Sequence, residues 1–293
     1  MHSYLRSIGF SGISEIDDIN ALTKSVVENS SIYSTHLTPD GRIIHVFKQN
    51  CGFFMRLVVC GEYDRSGTFF PQYIMPEYIG EDACISALEE LTIEKNAAND
   101  SYLCGMDDVR IGATIIFHLN NFGDYLNAEN NHAFSGSRAY TVRLSGLADT
   151  GTILLPVKKD DSREKDPEEE SERRALLRAA QNGDTEAMES LTLEEFDTYS
   201  MIIERIESED VYSIVDSFFM PKGITSDRYS IMGTIDLYKE RMNAFTHEKV
   251  AHLRVNCNGI RVHVTINKKD LVGQPAIGRR FKGDIWLQGR VVF

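Results

Sequence analysis

Apolar positions follow a helical period early in the chain and a strand period through most of the rest. Ser14–Glu28 opens on a serine suited to capping and sets Ile16, Ile19, Leu22 and Val26 on one stripe, which predicts an amphipathic helix. Tyr33–Gln49 reads as a hairpin around Pro39-Asp40-Gly41, a turn tripeptide. Phe53–Cys60 is an apolar, β-branched run that suits a strand covered on both faces, and Asp82–Asn99 is expected to be helical. Val109–Leu119 and Arg138–Val157 read as further strands, separated by a polar loop rich in Asn and Gly.

The pattern breaks at Lys158–Glu172, KKDDSREKDPEEESE, which holds no apolar side chain except Pro167. Such a stretch can bury nothing and reads as a solvated linker. Beyond it, Glu169–Gln181 and Thr185–Leu191 predict a helix pair split by Asn182-Gly183-Asp184, and Thr192-x-x-Glu195 is a capping box for a third helix. From Val211 to Phe293 the pattern is strands. The most legible is Ala251–Ile266, a hairpin about Asn258-Gly259, the strongest short-range hairpin signal. A two-residue turn sets Cys257, Val255 and Leu253 opposite Ile260, Val262 and Val264 on an apolar face. Asn256, Arg254 and His252 then face Arg261, His263 and Thr265 on a polar one.

These elements predict an α+β chain of two β-rich units with flanking helices. Residues 1–157 form the first, 158–172 the linker and 173–293 the second, with Gly-punctuated strands that suggest a strongly bent sheet or partial barrel. At 293 residues, two domains are the natural prior. The net charge of −13 disfavours indiscriminate attraction to nucleic acid or anionic lipid. Apolar runs fall far short of a membrane span, and the start of the sequence has no secretory pattern. With five cysteines and no C-x-x-C pair, a cytoplasmic protein with reduced thiols is expected.

The C-terminal residues are distinctive: Ile266-Asn267, then Asp270-Leu271-Val272-Gly273-Gln274-Pro275, then Ile277-Gly278-Arg279-Arg280-Phe281-Lys282-Gly283-Asp284-Ile285-Trp286. Together with Asn182-Gly183-Asp184, Glu209-Asp210-Val211-Tyr212 and Tyr4-Leu5-Arg6-Ser7-Ile8-Gly9-Phe10, they resemble a clostridial family described as domain of unknown function 3881. The resemblance implies a bacterial cytoplasmic protein and carries no activity, cofactor or catalytic residue.

Familiar catalytic motifs fail on spacing. His247 and His252 flank Glu248 as in a zinc-protease helix, but five residues apart, about 140° around a helix, they cannot share a metal. His252 and His263 are diagonal neighbours on the hairpin's polar face, but Arg254 between them opposes a divalent cation, so a solvated or hydrogen-bonded pair is expected. No phosphate loop or nucleophile elbow occurs, Cys257 lies on the apolar face, and the single Trp286 reads as core. No metal or cofactor is expected.

One local feature stands out. From Lys268 to Phe293 six basic residues face two acidic ones, a local charge of +4 in an acidic chain. Gly278 and Gly283 bracket Arg279, Arg280 and Lys282, which suggests a site for an anionic small molecule or acidic protein partner. The expected function is therefore non-enzymatic binding. The competing reading is a hydrolase or transferase whose site is assembled from sequence-distant residues.

Overall fold

In a computed structural model of the chain, the structure describes residues 3–80, 85–96, 101–156, 215–223 and 226–293, with isolated positions between 175 and 190. A 3₁₀ turn, Ser3–Ile8, precedes α1, Ile16–Asn29. Four strands follow: β1 (Ile32–Leu37), β2 (Ile43–Gly52), β3 (Met55–Tyr63) and β4 (Phe69–Tyr78). They form an antiparallel meander in chain order, and α1 packs on it. The β1–β2 hairpin turns where Pro39-Asp40-Gly41 predicts, with Gly41 at φ +81. In β3, Leu57, Val58, Val59 and Cys60 are all buried, as a strand covered on both faces requires.

The rest of the described chain builds a second, mixed sheet. Its strands are β5 (Ala87–Glu90), β6 (Thr92–Lys95), β7 (Tyr102–Asp108), β8 (Ala113–Leu119), β9 (Ala139–Leu154), β10 (Phe218–Pro221), β11 (Arg228–Met242), β12 (Lys249–Cys257), β13 (Ile260–Asn267), β14 (Leu271–Val272) and β15 (Arg280–Val292). The order is β10-β11-β12-β13-β9-β15-β8-β7-β6, with β5 and β14 also on β9. α2, Phe122–Asn130, lies between β8 and β9 in the chain. The fold is α+β but dominated by strands.

Several expectations are corrected. Residues 1–157 and 173–293 do not divide the strands between them. β9 lies before the charged stretch, yet it pairs in parallel with β13 and antiparallel with β15. Half of its 16 residues are buried, and its backbone is paired along both edges. The break between sheets falls instead between β4 and β5. The charged stretch 158–172, and most of the helices expected after it, lie outside the described residues.

Nor is the second sheet as a whole a barrel, because its path ends at β10 and β6. It does double back. β11 pairs with β15 over Arg228–Thr234 and with β12 over Thr234–Met242, so β11, β12, β13, β9 and β15 pair in a ring.

Local readings shift too. The described part of the expected helix Asp82–Asn99 holds two short strands, since Ala87–Glu90 completes the edge of β9 and Thr92–Lys95 that of β7. The Asn-rich loop contains α2, held to β15 by Asn121, which donates to Val291 O at 2.8 Å and accepts from Val291 N at 3.1 Å. Residue Glu15, not Ser14, caps α1, and it does so without a side-chain hydrogen bond.

The hairpin about Asn258-Gly259 has the expected register, Val255 opposite Val262 and His252 opposite Thr265, with φ +51 and +83 at the turn. Its polar face is not a solvent face. His252, His263 and Thr265 are buried beneath the first sheet and the N-terminal turn. A polar seam joins the two sheets. Gln288, fully buried, donates to Pro76 O at 2.8 Å and accepts from Tyr78 N at 3.1 Å, while Ser145 donates to Tyr78 O at 2.5 Å.

Candidate functional site

Register alone assembles a polar trough on one face of β9, β15 and β11. Lys282 stands opposite Thr152 on one side and Met232 on the other, and Asp284 stands opposite Thr150 and Ser230. Alternation then puts Lys282 and Asp284 on the same face of β15. β14 pairs alongside Gly151 and Thr152 and brings Asp270 and Val272 to the rim. Together with Gly151 and Gly283 these residues line a trough of about 280 Å³.

Two features shape its floor. The β9–β15 register shifts between Asp284 and Ile285, a bulge of the kind that re-aims side chains beside sites. Beneath it the buried Phe281 ring lies against the facing glycines. A Cβ on Gly151 would come 2.5 Å from Phe281, and one on Gly283 would come 2.6 Å from both Phe281 and Thr150 O. Neither position accepts a side chain without displacing that ring.

The trough's carboxylates are matched by cations. Arg6 forks onto Asp270 at 2.5 and 2.7 Å, from 264 residues away in sequence. Lys222 pairs with Asp284. Burial alone would raise the Asp284 carboxyl. Hydrogen bonds from Lys222 and Ser230, with the charges of Lys222 and Lys282, outweigh it and hold the group below its ordinary value. Two carboxylates, Asp270 and Asp284, thus meet three basic side chains, and Thr150, Thr152 and Ser230 complete the lining.

The three basic residues expected to act together are not brought together. Arg279 is half-buried and donates to Gln274 O at 2.7 Å. Arg280, only 5% exposed, donates to Leu155 O at 3.0 Å and Val215 O at 2.7 Å, tying residues 155 and 215 to β15. Burial lowers its pKa and the nearby Asp216 opposes the shift. Of the three, Lys282 alone lines the trough. Thr150, Thr152, Ser230 and Asp270 escaped sequence reasoning. Their residue types are common on strands and only pairing across the chain groups them.

Other constellations are chemically quieter. Ser11 meets Glu248 and lies 3.1 Å from Lys269 Nζ, while Asn267 donates to Glu248 at 2.5 Å. Hydroxyl, amine and carboxylate thus meet from sequence-distant positions. The lysine, however, donates both to Glu248 at 3.0 Å and to the Ser11 hydroxyl, so its ammonium is placed as a donor to that hydroxyl and not as its acceptor. Trp286 is buried, stacked on Tyr4 at 5.7 Å and bonded to Asp227 at 2.6 Å, as a core residue should be. Burial pushes the Cys51 thiol up to about 12 and raises those of Cys104 and Cys257, so none is nucleophilic. Among the described residues, no three His, Cys, Asp or Glu side chains group closely enough to hold a metal ion. No described helix is long and apolar enough to cross a membrane.

A family model described as "Domain of unknown function, E. rectale Gene description (DUF3881)" matches residues 5–289. Searches of curated proteins and of solved structures found no match.

Proposed function

The chain belongs to the DUF3881 family, whose description carries no activity, and we propose from the trough that it is a non-enzymatic, cytoplasmic binding protein for a small anionic, hydroxyl-bearing molecule. The observation that carries this reading is the convergence of Lys282 with Thr150, Thr152 and Ser230 around about 280 Å³, a volume near the lower end for small-molecule sites. Lys282 supplies the charge for a carboxylate or phosphate, and the hydroxyls bond sugar-like or polyol oxygens. Arg6 and Lys222 keep Asp270 and Asp284 from repelling the anion. The described residues of the trough offer a cation and hydroxyls that suit holding an anion, which favours binding over the hydrolase or transferase reading.

The test is a thermal-shift screen of phosphorylated and carboxylated metabolites on wild type, Lys282→Ala and Arg279→Ala. A ligand of this site stabilises wild type and Arg279→Ala but loses its effect in Lys282→Ala. Hits that stabilise all three alike, or no hit, overturn the reading.

A further inference from the structure

His252 is 1% exposed, and neither of its ring nitrogens has a hydrogen-bond partner. Buried polar groups are almost always partnered, so an imidazole orphaned at both nitrogens calls for a physical reason. Its surroundings are aromatic and cationic. The Tyr78 ring lies 5.3 Å away and the Phe53 ring 4.6 Å away. Lys239 is its register partner on β11. Arg241 lies with its guanidinium 4.7 Å from the Phe53 centroid, and Lys239 with its ammonium at 6.0 Å. His263 stands diagonally across on β13, under the backbone of Gly80, and opposite Arg254, which is bonded to Asp236 at 2.6 Å. Glu77, beside Tyr78 on β4, is bound to Lys48 at 2.8 Å and Arg56 at 3.4 Å. The charges around the imidazole are therefore mostly positive.

The residue covering His252 is held in an uncommon conformation. Phe53 and Phe54 make the β2–β3 turn with φ +43 and +63. That geometry suits Asn-Gly and is strained for two phenylalanines. Phe53 is only half-buried and Phe54 is 38% exposed, so the core does not demand this pair. What Phe53 does is lay its ring against that of His252, centroids 4.6 Å apart, beside two cations.

We propose that His252 is the inner contact of an oxyanion site, separate from the trough, which the Phe53 ring closes and Lys239 and Arg241 frame. The site takes a phosphate, sulfate or carboxylate group when the Gly52–Met55 turn swings out. The imidazole then takes up one proton from solvent, which forms its second N–H bond, and donates to the anion, whose own covalent bonds stay unchanged. Burial and the neighbouring Arg241 and His263 disfavour that proton while the site is empty. An arriving anion reverses the balance, so affinity climbs as pH falls below the ordinary histidine range.

The probe is sodium sulfate, whose charge is constant over the range used, titrated calorimetrically near pH 7.5 and pH 6. Wild type should bind about tenfold more tightly at the lower pH, and Phe53→Ala severalfold more tightly than wild type at both. Phe53→Ala/His252→Gln should lose the pH dependence, and Lys282→Ala should behave as wild type. Should Phe53→Ala fail to fold, the imidazole resonances of His252 in wild type must shift on sulfate addition. Sulfate that leaves those resonances unmoved, binds independently of His252, depends on Lys282, or does not bind overturns the proposal.

Discussion

The same buried imidazole makes folding stability depend on pH in a window of its own. His252 titrates at about 3 in the folded protein, against 6.5 for an ordinary histidine. The cause is first its burial, then the charges of Arg241 and His263. Between those values the unfolded chain binds a proton that the folded chain refuses, so stability falls as pH falls from 6.5 towards 3. At about 1.36 kcal/mol per unit, acidification from pH 7 to pH 5 should remove about 2 kcal/mol through this residue alone.

Carboxylates held low, such as Asp284 and Glu248, act with the same sign but only below their ordinary values near 4, outside this window. His36 and His45, each lowered by burial, against the pull of Asp124 and of Glu62 respectively, add to the slope, which His36→Gln and His45→Gln controls measure separately. The assay is urea unfolding at pH 7, 6 and 5 at constant ionic strength. His252→Leu removes both the titration and the orphaned nitrogens, so its stability at pH 7 should change little and its slope between pH 7 and 5 should fall by more than half. Equal slopes in wild type and His252→Leu would refute the reasoning, because His252 would then refuse no proton on folding.

Two further expectations concern packing. Val255→Asp forces a charge into the fully buried face opposite Val262 and should cost several kcal/mol or abolish soluble expression. Arg261→Asp, at a side chain 54% exposed and 3.8 Å from Asp236, should cost about 1 kcal/mol or less by denaturant titration. Comparable losses would mean the hairpin's faces are misassigned. Gly80→Ala meets both a φ of +73 and a contact of 2.6 Å with the His263 ring, whereas Gly41→Ala at φ +81 meets open space. The first should lose about 2–3 kcal/mol and the second about 1, so equal losses would show that the His263 contact carries no penalty.

What could be read from the sequence was local. The Asn258-Gly259 hairpin and the Pro39-Asp40-Gly41 turn emerged because two residues fix the geometry and the flanking alternation fixes the register. The strands β5 and β6 did not, because Ala87–Lys95 has ordinary helix-forming residues and is made extended by neighbours that local pattern cannot reveal. The charge excess of the C-terminal segment was legible, and its use was not. Arg280 is drawn inward by two backbone carbonyls that lie 65 and 125 residues away. The polar alternation of β12 and β13 was read correctly as two faces. That the polar face would be roofed by Phe53, Tyr78 and Gly80 depends on how the sheets pack.

The trough shows why no single stretch of this chain could announce a site. Its hydroxyls come from β9, its ammonium and one carboxylate from β15, Ser230 from β11, and Asp270 is held by an arginine in the first 3₁₀ turn. Each of these joins crosses a long span of sequence, and each is set by strand pairing or by an ion pair that forms only once the strands have met. Closing such spans costs entropy that grows slowly with their length, so long separations are tolerated provided the closed pairings are extensive. The β9–β15 ladder, running from Leu154 opposite Arg280 to Thr141 opposite Val292, is the most extensive in the protein's described residues. A ligand gripping Lys282 and Thr152 together would bridge that ladder directly. Its binding energy would then add to the closure of the sheet, so ligand-induced stabilisation of the whole fold, rather than of a loop, is the signature that the trough's architecture predicts.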